Sequence, residues 1–123
     1  RTTGRTVKYD GTVSGLFVDV ENTLVDSSLS KINESVLDQM ILHSKTGPVT
    51  MWTGGDLEKI QGAVGPLFTD ACIRKGSRLY TRTPVLSKNQ FAGSEPEVVI
   101  DDLSLEKFVR DYEMTPQKYI RIE

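Results

Sequence analysis

Gly15-Leu16-Phe17-Val18-Asp19-Val20 runs apolar without alternation until an acid interrupts it, and Glu21-Asn22-Thr23-Leu24 follows as the start of a polar loop. An apolar run of this kind suits a strand buried on both faces, as in a parallel sheet covered by helices. Asp19, at the end of that strand, is the candidate reaction centre. Upstream, Thr6-Val7-Lys8-Tyr9, Asp10-Gly11 and Thr12-Val13 read as two β-rich pieces around a tight turn, because Asp-Gly supplies the positive φ angles that a two-residue hairpin needs. The chain begins at Arg1, and its first few residues are given little weight.

Downstream, Ile32, Val36, Leu37, Met40 and Ile41 recur at helical spacing, and Thr46-Gly47-Pro48 stops the helix. Pro48 to Thr53 reads as a second apolar strand closed by Gly54-Gly55, with Asp56 as N-cap of a helix carrying Leu57, Ile60 and Val64. After Pro66 the pattern weakens, with short strands expected at Ala71–Ile73 and Leu79–Thr81. Val98-Val99-Ile100 is a third buried strand, ending in Asp101-Asp102. Ser104 then caps a helix with Leu105, Phe108 and Val109 on its apolar face, and Tyr119-Ile120-Arg121-Ile122 is a last strand. This alternation predicts an α/β fold, three-layer and Rossmann-like, with a mostly parallel central sheet.

The chain has 123 residues, 37% hydrophobic and 26% charged, which fits one compact domain over residues 1–123. A formal net charge of −2 gives no general attraction to nucleic acid or anionic membrane. No apolar run approaches the ~20 residues of a membrane helix, and no secretory leader pattern is present. The single cysteine, Cys72, excludes an intrachain disulfide and reads as a buried apolar residue. The expectation is a soluble, cytoplasmic protein.

In parallel sheets ligands bind beyond the carboxyl ends of the strands. Three strands here end in Asp19, Thr53 and Asp101. Asp19 and Asp101, with Asp102 nearby, can share a divalent cation, and hard oxygen ligands suit Mg²⁺. Thr53 and the backbone of Gly54-Gly55, just before a helix, can hold phosphate oxygens.

These residues resemble a family. Val18-Asp19-Val20-Glu21-Asn22-Thr23-Leu24 is similar to the first motif of the haloacid dehalogenase superfamily, in which apolar residues precede Asp-x-Asp-x-Thr-Leu; Thr53 resembles its second motif and Asp101-Asp102 its fourth. The resemblance implies a Mg²⁺-dependent phosphatase. Asp19 would be the nucleophile that becomes an aspartyl-phosphate, Thr53 and Gly54 would bind the phosphoryl group, and Asp101 would hold the metal with Asp19 and the Glu21 backbone carbonyl. The resemblance also implies a lysine at the site, with Lys88 as first choice and Lys75 as runner-up. Glu21 departs from the family's acid/base aspartate by one methylene, and proton transfer requires hydrogen-bond reach. A catalytically impaired domain that binds a phosphorylated ligand or partner is therefore the alternative.

Little chain lies between Asp19 and Thr53, or between Gly54 and Lys88, so no cap domain is expected. An open site suits a macromolecular phosphate, or a neighbouring subunit of a homo-oligomer serves as the lid. Arg74, Lys75, Arg78, Arg82 and Lys88 form a basic segment with no acid between Ala71 and Ser94. Such a segment would attract phosphorylated substrates or contact a nucleic-acid backbone without sequence specificity, since it lacks the interleaved aromatics of a base-stacking surface, Tyr80 being the nearest. His43 reads as a C-terminal helix residue, and Trp52 as core packing or as a pocket wall.

Overall fold

The computed structural model describes residues 11–122. Five strands form one all-parallel sheet: β1 (Gly11–Asp19), β2 (Val49–Thr53), β3 (Val85–Ser87), β4 (Ser94–Asp101) and β5 (Lys118–Arg121), in the order β3-β2-β1-β4-β5. Three α-helices connect them: α1 (Glu34–His43), α2 (Leu57–Arg74) and α3 (Leu105–Tyr112). The result is a Rossmann-like α/β fold. None of the described helices is long and apolar enough to cross a membrane. Of the expected N-terminal hairpin, residues 6–10 lie outside the described residues, and Thr12 and Val13 belong to β1.

Successive side chains of a strand point to opposite faces, so the unbroken apolar run of β1 supplies two cores. Leu16, Val18 and Val20 join Val36, Leu37 and Met40 of α1 and Ile60, Val64 and Phe68 of α2 in one cluster. Phe17 enters the other with Trp52, Phe91, Val99 and Phe108 of α3. Phe17 stacks on Trp52 with centroids 4.6 Å apart, and Phe91 meets both rings edge-on. Trp52 is thus core packing.

Helix boundaries follow local chemistry. Asn33 caps α1 by accepting from the amides of Ser35 and Val36, Asp56 caps α2 through the Lys59 amide, and Ser104 caps α3 through the Lys107 amide. His43 closes α1, as expected. Gly15 sits at φ +98°, where a β-carbon would run into the Pro48 carbonyl, so only glycine allows β1 to approach the start of β2 this closely.

The region after Pro66 differs from expectation. Ala71–Ile73 belongs to α2 rather than a strand, because Phe68, Ala71 and Cys72 continue the helical face of Ile60 and Val64 straight through Pro66. Leu79–Thr81 is a 3₁₀ turn. The actual strand here is β3, three residues long and missed for its brevity. On α3 the buried residue is Phe108, with Tyr112 packed one turn on, while Leu105 and Val109 are exposed.

Candidate active site

Strand parity places the acids. Asp19 shares its face of β1 with Phe17, and Asp101 shares its face of β4 with Val99, so both project to the α3 side at the carboxyl end of the sheet. Val18 pairs with Ile100, which puts the next residues, Asp19 and Asp101, side by side. Lys88 opens the 3₁₀ turn Lys88–Phe91 directly after β3, and Phe91 anchors that turn on Phe17 and Trp52.

The three side chains meet in a buried triad. Lys88 Nζ lies 2.8 Å from Asp19 Oδ1 and 2.9 Å from Asp101 Oδ2, with each residue no more than 5% exposed. The Thr23 hydroxyl donates to Asp19 Oδ2 at 3.0 Å, with Asp102 Oδ1 at 3.5 Å from the same hydroxyl oxygen. The Leu103 amide donates to Asp101 Oδ1 at 3.1 Å, fixing that carboxylate. The Tyr112 ring covers Lys88, its centroid 4.5 Å from Nζ, adding a cation–π contact.

Charge here does not balance: two buried carboxylates face one buried ammonium, with Asp102 beside them. Burial pushes the Asp19 carboxyl up to about 8, against the attraction of Lys88 and with the repulsion of Asp101. Burial likewise raises Asp101 above the ordinary carboxyl range, again opposed by Lys88. Burial works against the Lys88 charge, but Asp19 and Asp101 outweigh it and hold the ammonium above its usual value. Oxygens of Asp19, Asp101 and Asp102 all lie within 4.8 Å of one another. An all-oxygen donor set with surplus negative charge fits a hard divalent cation such as Mg²⁺.

A cleft of about 230 Å³ opens over this cluster, lined by Asp19, Glu21, Gly54, Gly55, Lys88 and Tyr112 among others. Thr53 is fully buried at its edge; its hydroxyl donates to Glu21 Oε1 at 2.8 Å and accepts from the Gly55 amide at 3.0 Å. The Glu21 carboxylate therefore rests on the threonine and glycine turn.

Asp19, Glu21, Thr53, Gly54, Lys88, Asp101 and Asp102 thus stand together. Lys75 does not: it ends α2 paired with Glu34 at 3.0 Å and Asp38 at 2.8 Å, and it is absent from the cleft wall. The basic segment is also thinner than its sequence suggests. Asp70 answers Arg74, two acids of α1 answer Lys75, and Lys88 is buried, so Arg78 and Arg82 are left as its exposed charges without an ion pair among the described residues. Asp70, one helical turn before Arg74, and the α1 acids Glu34 and Asp38, distant in sequence, supply this neutralisation. Two contributors went unassigned in the sequence. Thr23 lay inside the quoted motif without a role, and Tyr112, four residues after Phe108, was detectable by helical spacing alone.

No family model matches the chain, and neither a curated protein nor a solved structure does so.

Proposed function

We propose that the chain is a Mg²⁺-dependent phosphatase of the haloacid dehalogenase type, a three-layer domain without a cap, that hydrolyses a phosphomonoester through an aspartyl-phosphate. The observation that carries this reading is the placement of Lys88 Nζ between Asp19 and Asp101 at the floor of an open cleft. Carboxyls shifted by burial and by a specific charge partner, in a cluster that faces a cleft, mark a candidate functional site. Asp19, Asp101 and Asp102, with the Glu21 carbonyl, would hold Mg²⁺, which would supply positive charge against the phosphoryl oxygens.

In the first step an Asp19 carboxylate oxygen attacks phosphorus, the bond from phosphorus to the leaving oxygen breaks, and Glu21 gives that oxygen a proton. In the second, water attacks the same phosphorus and passes its proton to Glu21. The bond to Asp19 then breaks and orthophosphate leaves. Lys88 and the Thr53 hydroxyl orient the phosphoryl oxygens throughout. For this Glu21 must turn away from Thr53.

The test is hydrolysis of an aryl phosphate with and without Mg²⁺, alongside formation of a beryllium fluoride adduct. Asp19→Asn should lose at least ~10³-fold in turnover and form no adduct. Absence of both activity and adduct in the native chain would overturn the enzymatic reading.

One observation favours a second reading, a catalytically impaired domain that binds a phosphorylated ligand. Glu21 is held by Thr53 rather than free over the cleft. Glu21→Asp separates the two readings: a large gain in hydrolysis shows a working site restrained by the longer side chain, and continued inactivity with Mg²⁺-assisted phosphate binding favours the binding role.

A further inference from the structure

A second and larger cavity, about 440 Å³, opens beside the Asp19 cleft and shares Asn22 with it. Its volume lies within the ~300–1,000 Å³ typical of small-molecule sites. Buried Val25 and Ile32 and half-buried Ile122 give it an apolar floor, and exposed Ser27 and Lys31 stand on its rim.

The loop that forms it is tied together by its own hydrogen bonds. Asp26 Oδ1 accepts from the amides of Ser30 and Lys31, and Oδ2 accepts from the hydroxyls of Ser28 and Ser30. The Asp26 charge is therefore satisfied within the loop, and these hydrogen bonds, led by the Ser30 amide, hold its carboxyl below the usual range. Lys31 makes no ion pair among the described residues. Asn33, also on the wall, uses its side-chain oxygen to cap α1 and retains an amide nitrogen as donor. A preformed cavity with an apolar floor, a free cation and spare donors suits an apolar body carrying a hydrogen-bond-accepting edge.

The geometry points to this cavity as the subsite for the organic part of a small phosphate monoester, an apolar body of nucleoside size with hydrogen-bond acceptors at its edge, whose phosphate lies over Asp19. This inference rests on the phosphoryl reading of the cleft. It departs from the expectation of a macromolecular substrate, because the chain supplies its own pocket next to the phosphate position. Lys31 and the Val25–Ile32 floor would set specificity without taking part in the chemistry.

The experiment is a titration of ¹⁵N-labelled native protein, with Mg²⁺ present, followed by amide NMR. The probes are orthophosphate, the nucleosides adenosine and uridine, their 5′-monophosphates, and a phosphoserine peptide; the monophosphate spectra are taken before turnover or on the Asp19→Asn variant. Orthophosphate should shift Gly54, Gly55 and Leu103 only. A monophosphate should shift these together with Val25, Ser27, Lys31 and Ile32, and bind roughly tenfold more tightly than orthophosphate. Lys31→Ala, an exposed change, should weaken the monophosphate several-fold and leave orthophosphate unaffected. Monophosphates that bind no better than orthophosphate and leave Val25 to Ile32 unmoved would overturn the subsite. So would a phosphoserine peptide that binds more tightly than either monophosphate without touching the cavity. If orthophosphate fails to shift Gly54 and Gly55, the phosphoryl reading falls by itself, and the nucleoside shifts alone decide the cavity.

Discussion

Two carboxylates around one ammonium leave the buried site with excess negative charge, and a proton or a metal ion can relieve it. Asp19 carries a proton over the range from its ordinary 3.8 up to about 8 in the folded chain, whereas the unfolded chain has lost it. The folded state then binds more protons than the unfolded one, so stability of the metal-free protein should fall as pH rises through that window, by on the order of a few kcal/mol. At the proposed site Mg²⁺ would compete with the proton for the same oxygens and should bind better as pH rises. Thermal melts at pH 5 and pH 8 test this: the rise in Tm on adding Mg²⁺ should be clearly larger at pH 8. Equal shifts at the two values would mean that the ion binds elsewhere. The same charge count predicts the outcome at Lys88. Lys88→Met keeps most of the side-chain volume but removes the cation that offsets Asp19 and Asp101, so both buried acids must hold protons on folding, costing about 3–5 kcal/mol at neutral pH in urea denaturation. Lowering the pH to 5 or adding Mg²⁺ should recover much of the loss. Lys75→Met, at a solvent-screened pair, should leave the midpoint nearly unmoved.

Helix α2 is the element on which sequence and structure part most. It carries Pro66 in its interior, where the ring removes a hydrogen-bond donor and crowds the preceding turn. Phe68, Ala71 and Cys72 nevertheless stay on the face begun by Ile60 and Val64, and their burial outweighs the local penalty. Since Pro66 is exposed, Pro66→Ala should restore the missing bond without disturbing the core and stabilise the protein by about 1–3 kcal/mol, read as a higher Tm. A lower Tm would show that the proline makes a contribution of its own. This competition explains what could be read beforehand. β1, β2 and β4 announced themselves because each runs into its carboxyl end through consecutive buried residues, and their terminal Asp19, Thr53 and Asp101 came with them. β3 is too short to carry a pattern, and the exposed Leu105 and Val109 disguised the face that α3 buries. Lys88 could be named only by resemblance, since its burial depends on Phe91 fixing the turn against Phe17 and Trp52, contacts distant in sequence.

At the scale of the whole molecule the two apolar clusters on either side of the sheet are linked through the strands they share. β1 gives Leu16, Val18 and Val20 to one cluster and Phe17 to the other, and β1 lies between β2 and β4 at the centre of the sheet. Stripping either face exposes the same strand, so the clusters should unfold together, as small single sheets usually do. The chain contains a reporter for each. Trp52, the sole tryptophan, is buried in the α3-side cluster, and Cys72, the sole cysteine, is buried in the other. Burial also pushes the Cys72 thiol above its usual value, so it should react slowly until exposed. In a urea series the loss of buried-indole emission and the onset of fast thiol labelling should share one midpoint. Labelling of Cys72 while Trp52 emission is unchanged would show instead that the α1 and α2 face opens alone. Mg²⁺ would sharpen the comparison: at the proposed site on the ends of β1 and β4, over the Trp52 side, it should raise both midpoints equally if the sheet couples them, and only the Trp52 midpoint if it does not.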